Sequence, residues 1–161
     1  MPGMRVLGID PGTGRMGFGI AEEERGTVTC VAVGCVTSSP KDPPGVRLEK
    51  IERELSSLIV RYRPVGAAIE TLFHSKNTRT AMAVAEARGM VLTLLARLTI
   101  PGTELSPQHA NSGVTGDGAA TKQQVQQMVQ RLFLLPTVPT PDDAADALAI
   151  AFVGLAHFRE R

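Results

Sequence analysis

Along residues 4–10 an apolar run, Val6-Leu7-Gly8-Ile9, closes on one carboxylate, Asp10. A Pro11-Gly12 turn follows, and then a second apolar run from Met16 to Ile20. This pattern predicts two strands joined by a tight connection, with Asp10 at the lip of the first. Glu22 to Gly26 reads as a charged turn, and the Val- and Thr-rich segment Thr27 to Thr37 as a third strand. Ser38 to Gly45, broken by Pro40, Pro43 and Pro44, is a loop. From Val46 to Arg61 the positions Leu48, Ile51, Leu55, Leu58 and Ile59 keep helical spacing, with charged residues between them. Pro64 stops that helix, and Val65 to Ile69 is a short apolar strand that runs into Glu70. Two strands thus end in acids.

Thr71 to Lys76 is a connector, and Asn77 is placed to cap a long helix over Thr78 to Leu98. That helix carries a line of small residues, Ala81, Ala85, Gly89 and Ala96. Thr103 to Leu105 is a fifth, short strand, and the glycine-rich segment 111–120 is expected to be a mobile loop. Thr121 with Gln124 has the form of a capping box and opens a helix to about Leu135. The last helix is signalled by Thr140 as cap, Pro141 and two acids in the first turn, and it runs to about His157. Alternating β and α elements imply an α/β layer fold with a mixed sheet.

Composition narrows the class. The chain has 161 residues, 43% hydrophobic and 20% charged, with a formal charge of +1. That is the profile of an ordinary globular protein, expected to form a single domain over 1–161. A near-zero net charge leaves any basic surface as a local patch balanced by acids elsewhere. No apolar run reaches the roughly 18 residues of a membrane span, and the N-terminal segment has no signal-peptide core. The cysteines, Cys30 and Cys35, lie at odd spacing within one strand, which by simple alternation sends them to opposite faces. A reduced, cytoplasmic protein is the expectation.

The chemistry resides in the acids. Asp143 and Asp146 are three residues apart and share a helix face. A helix dipole accounts for Asp142 and Asp143 in the first turn. It accounts poorly for Asp146, which sits among Ala144, Ala145, Ala147 and Leu148. Asp10 has two readings: an acceptor for the amides of its own turn, or a charge paired with something brought from elsewhere. Asp10, Glu70, Asp143 and Asp146 all lie at element ends, and acids brought together repel unless cations bind between them. Hard divalent ions with oxygen ligands, Mg²⁺ or Mn²⁺, suit such a group, and a pair of them serves phosphodiester displacement.

Several separated motifs then occur together and in order: GIDPGTGRMGFGI, Ala67-Ala-Ile-Glu70, Phe73-x-x-Lys-Asn77, Ala87-Arg-Gly89 and Asp143-Ala-Ala-Asp-Ala-Leu-Ala-Ile. In these the chain resembles the bacterial RuvC family of crossover (Holliday) junction endodeoxyribonucleases, over roughly residues 4–158. The resemblance implies an RNase H-like (retroviral integrase-type) α/β fold, a mixed five-stranded sheet with helices on both faces. It implies a homodimer that nicks two opposed strands of a four-way DNA junction with Mg²⁺, two ions per site, Mn²⁺ substituting. A branch-migration complex of the RuvA and RuvB type is the implied partner, in recombination and repair.

Carried over by position, the catalytic and metal-holding acids are Asp10, Glu70, Asp143 and Asp146. Phe73 matches an aromatic that meets unstacked bases, and Lys122 a lysine of the DNA-binding surface. Asn111 stands where the family often has a further lysine. His74, Lys76, Asn77 and Arg79, flanking Phe73, complete the expected DNA contacts, and Arg88 is a further cation for the phosphate patch.

Two other readings fit parts of the pattern. An ATP-binding protein of the actin and sugar-kinase type also opens on a Gly-Ile-Asp hairpin, but it needs two lobes around its nucleotide. A non-catalytic junction-binding module would favour positive charge where this chain has four acids.

Overall fold

The computed structural model describes residues 3–71 and 78–160. Its elements in chain order are β1 (Met4–Asp10), β2 (Arg15–Glu24), β3 (Thr27–Thr37), α1 (Pro44–Tyr62), β4 (Gly66–Glu70), α2 (Thr78–Arg97), β5 (Gly102–Leu105), α3 (Pro107–Thr115), α4 (Lys122–Leu132) and α5 (Asp142–Arg159). The sheet runs β3-β2-β1-β4-β5. The β1–β2 and β2–β3 pairs are antiparallel, while β1–β4 and β4–β5 are parallel. The mixed five-stranded sheet is as expected.

Alternation along β1 divides the core. Leu7 and Ile9 pack with Ile51 and Leu55 of α1 and with Ala87 and Val91 of α2. Val6 faces the other way, into a cluster with Val125 and Val129 of α4 and Leu148 and Leu155 of α5. Helices therefore cover both faces, and a side chain's parity along the strand decides which helices it meets. Asp10 shares parity with Val6 and Gly8, which puts it beneath α5. On β4 the same rule sends Ala67 and Ile69 to the α1 side and Ala68 to Ile150 of α5. Glu70 follows Ala68.

What lets α5 lie so low is a patch without side chains. A Cβ on Gly8 would stand 2.0 Å from the carbonyl oxygen of Ala147, and one on Gly17 2.0 Å from that of Asp143. Gly19, which pairs with Gly8 across the strands, meets the backbone of Leu148 in the same way. The helix buries Ala144, Ala145, Ala147, Leu148, Ala149, Ile150 and Ala151 almost completely. Small residues on both partners allow this close approach.

Four local expectations are corrected. The segment expected as a mobile loop over 111–120 is helical to Thr115: Ser106 caps α3 by accepting from the backbone N–H of His109, Pro107 opens the first turn, and Gly116 at φ 82° ends it. Gly113 is inside that helix because a Cβ there would strike Val153 of α5. Thr140 does not cap α5, since the helix starts one residue later, with Pro141 at the cap position and its carbonyl accepting from Ala144 at 2.9 Å. The capping box of Thr121 and Gln124 is present on α4, but the helix ends at Leu132, with Leu134 in the left-handed region at φ 51°. Finally, a bulge lets the β3 partner step from Ala32 to Cys30 between Ile20 and Ala21. The extra residue resets alternation, so Cys30 and Val33 both join the cluster beneath α5, and Cys35 shares parity with Val33. The cysteines lie on one face, not two, and both are free thiols.

Candidate active site

The parallel register of β1 with β4, Ile9 opposite Ile69, brings the two strand ends level. Asp10 and Glu70 then stand side by side on the α5 face, close enough that the charge of Glu70 raises the Asp10 carboxyl. Gly17 lies directly across from Asp10 on β2. Its missing side chain leaves room for the N-terminal end of α5, whose first two turns bring Asp143 and Asp146 onto the same spot. One carboxylate oxygen each from Asp10, Asp143 and Asp146 lies within 4.8 Å of the others. All four expected acids line one cleft of about 280 Å³, together with Pro107, Ala110 and Asn111 of α3 and Lys122 of α4.

This arrangement holds more negative charge than bare protein tolerates. Burial, then the charge of Glu70 and the charges of Asp146 and Asp143 push the Asp10 carboxyl up to about 10. Asp146 is raised to about 6, by burial first, against the lowering effect of Lys122. Asp10, so raised, holds its proton at neutral pH unless a cation compensates it. The donors are all hard oxygens, they come from three separate elements, and they converge. That donor set fits Mg²⁺ or Mn²⁺.

Among the described residues, two side-chain cations sit at the rim. The Lys122 ammonium donates to Asp142 Oδ2 at 2.7 Å and to Asp146 Oδ2 at 3.4 Å. Its pKa is raised chiefly by the Asp142 bond, and the same bond holds the Asp142 carboxyl below its usual value. Arg15, at the start of β2, donates from Nε to Asp143 Oδ2 at 2.5 Å and approaches Asp142 Oδ1 at 3.6 Å. Sequence reasoning passed over Arg15, although it is the single cation between Asp10 and Glu22. It also ascribed Asp142 to the helix dipole alone, whereas Asp142 is in reach of both cations.

The other expected site residues fall in different places. Asn111 lines the cleft, and its amide donates to the Gly118 carbonyl at 3.4 Å. Arg79 is exposed in the first turn of α2. Arg88, expected in a phosphate patch, is ion-paired with Glu104 of β5. Phe73, His74, Lys76 and Asn77 lie outside the described residues. Neither His109, exposed on α3, nor His157, on α5, lines the acidic cleft.

Converging carboxylates on the ends of two parallel strands and the first two turns of a crossing helix define a nuclease of RNase H-like fold that works through metal ions. Comparison with known proteins narrows this. The family model for "Crossover junction endodeoxyribonuclease RuvC" matches residues 6–154, and the chain belongs to that family. Among curated relatives, the RuvC of Syntrophomonas wolfei is 42% identical over 97% of this chain and 91% of its own. That of Chloroflexus aggregans is 47% identical over 92% and 90%. Among solved structures, Thermus thermophilus RuvC in complex with Holliday junction substrate superposes with a TM-score of 0.91 at 30% identity, covering 98% of this chain and 96% of that one. The yeast mitochondrial Holliday junction resolvase Ydc2, at 18% identity and a TM-score of 0.67, shares the fold.

Proposed function

We propose that this protein is a crossover junction endodeoxyribonuclease that resolves four-way DNA junctions by hydrolysing one phosphodiester in each of two opposed strands. The observation that carries the reading is the convergence of Asp10, Asp143 and Asp146 within 4.8 Å, beside Glu70, at the end of the sheet. Asp10, Glu70, Asp143 and Asp146 would hold Mg²⁺, with Mn²⁺ able to replace it. When bound, the metal supplies activation of water and neutralisation of charge at the phosphate. Asp10, raised to about 10 by burial and by its neighbouring acids, would hold the metal as a carboxylate, so that binding would be expected to release its proton. The rigid placing of Asp143 and Asp146 by α5 keeps the set from collapsing or spreading. Lys122 and Arg15 at the rim offer positive charge to DNA backbone approaching the cleft. The test is a denaturing gel of products from a synthetic junction. Symmetric nicks that need Mg²⁺ or Mn²⁺ and ignore ATP support the reading; full cleavage in excess EDTA, or none under any metal, removes it.

The two neighbouring aspartates should separate cleanly. Asp143 points into the acid cluster, whereas Asp142 faces the two rim cations. Asp143→Asn is expected to lower the single-turnover cleavage rate by at least three orders of magnitude at saturating Mg²⁺. Asp142→Asn should change it by less than about tenfold, ~1.4 kcal/mol of barrier. The reverse ranking would reassign the ligand.

Two opposed nicks call for two sites related by a two-fold axis, and we infer a homodimer. The face of α2 carrying Ala85, Gly89 and Ala96 is exposed and is flanked by Met82, at 61% exposure, and Leu92. Space above Gly89 is open. This face is proposed as the contact, and Ala85→Phe is expected to shift the protein towards monomer in analytical ultracentrifugation. A well-folded Ala85→Phe dimer would place the contact elsewhere. No helix among the described residues is long and apolar enough to cross a membrane. A cytoplasmic location and a branch-migration motor as partner remain part of the proposed reading, and so do DNA contacts by Phe73, His74, Lys76, Asn77, Arg79 and Asn111.

A further inference from the structure

Both rim cations are bound to oxygens that the proposed metal site requires. Arg15 holds Asp143 Oδ2 at 2.5 Å, and Lys122 reaches Asp146 Oδ2 at 3.4 Å. Each also reaches Asp142: Lys122 at 2.7 Å and Arg15 at 3.6 Å. Asp142 is therefore a shared acceptor placed between two cations, one arriving from β2 and one from α4. A guanidinium does not lose its proton in a protein. Arg15 can release Asp143 only by moving, and Asp142 is the carboxylate already within its reach.

We propose that Arg15 and Lys122 are internal competitors of the metal at this site, and that Asp142 is the acceptor to which both withdraw when a metal ion takes Asp143 and Asp146. The inference rests on the reading of the four acids as a metal site and goes beyond it by giving Asp142 and Arg15 positioning roles. In the metal-free protein the two cations limit repulsion among the acids. With metal bound they are kept at the mouth of the cleft, facing solvent, where 47% of the Arg15 side chain and 68% of that of Lys122 are already exposed. They stand there ready for the phosphates on either side of a substrate bond. A purely structural Arg15, one that orients Asp143 for the metal, would have the opposite signature: its loss would weaken metal binding.

The experiment is Mn²⁺ binding to DNA-free protein, read by electron paramagnetic resonance of free Mn²⁺, with circular dichroism confirming the fold of each variant. Arg15→Gln should tighten Mn²⁺ binding several-fold relative to the wild type. Asp142→Asn should weaken it about tenfold when Arg15 and Lys122 are present, and by less than about threefold in an Arg15→Gln/Lys122→Gln background, a coupling that independent charge effects would not produce. Weaker binding by Arg15→Gln, or equal effects of Asp142→Asn in the two backgrounds, overturns the proposal. Absence of Mn²⁺ binding by the wild type would overturn it together with the metal site. Wild-type binding without the coupling overturns the competition alone.

Discussion

Asp10→Asn is expected to lower junction cleavage by at least three orders of magnitude, to leave junction binding intact, and to raise the thermal stability of the metal-free protein at pH 8. The first two effects follow from position. Asp10 lies at the centre of the acid cluster, beside Glu70 and within 4.8 Å of Asp143 and Asp146. Neutralising it removes a metal-holding charge without removing anything that attracts phosphate. The third effect follows from linkage. In the folded protein the Asp10 carboxyl is raised from the ordinary aspartate range to about 10, by burial first and then by its neighbouring acids. A raised carboxyl contributes stability that is fully present below the unfolded value and is lost as pH climbs towards the folded one. Asp146, raised to about 6, adds a smaller loss over a narrower window between about 4 and 6.

The metal-free wild type should accordingly melt at lower temperature as pH rises from about 4 towards 9, and Asp10→Asn should flatten that slope. At pH 8 the variant should melt several degrees higher, on the scale of ~2–4 °C for each kcal/mol in a domain of this size. Mn²⁺ or Mg²⁺ should stabilise the wild type increasingly with pH, since binding competes with protons, and should do so far less in the variant. Differential scanning calorimetry with and without metal across this pH range decides it. A metal-free melting temperature that rises through neutral pH, or a variant less stable than the wild type at pH 8, would contradict the buried, crowded state assigned to Asp10.

The second large effect is expected from one methyl group. Gly17→Ala should cost about 1–3 kcal/mol of stability or more, as overpacking of a close-packed contact does, and should reduce cleavage by a larger factor than its stability loss alone implies. The added Cβ would stand 2.0 Å from the carbonyl oxygen and 2.6 Å from the carbonyl carbon of Asp143. Those are backbone atoms of α5, so no side-chain rotation relieves the clash and the first turn of the helix must lift. That turn carries Asp143, and Asp146 follows in the next turn. Misplacing reacting groups by about 1 Å is worth roughly a hundredfold in rate. Gly45→Ala is the matched control, because a Cβ there meets nothing within 4 Å. Urea unfolding and single-turnover cleavage of both variants test the point. Equal behaviour would mean that α5 is not held by contact with β2.

The sequence by itself determined the elements that rest on local or periodic signals. β3 over Thr27–Thr37, the Thr121–Gln124 capping box and the apolar stripe of α1 are where the pattern places them, since alternation, capping and helical spacing act over a few residues. The four acids were also legible, because a carboxylate ending an apolar run, or standing among alanines, is chemically out of place. Tertiary structure decided the rest. Segment 107–115 forms a helix because Gly113 and Val114 have α5 and α4 to pack against, contacts made by residues far away in sequence. The faces of Cys30 and Cys35 depend on a bulge, which is a property of the β2–β3 pair and of neither strand alone. Arg15 and Asp142 read as ordinary exposed charges in one dimension. They became parts of the site when α5 crossed the glycine patch of β1 and β2 and brought residue 143 to residue 15, a meeting set by backbone shape over 128 positions of separation.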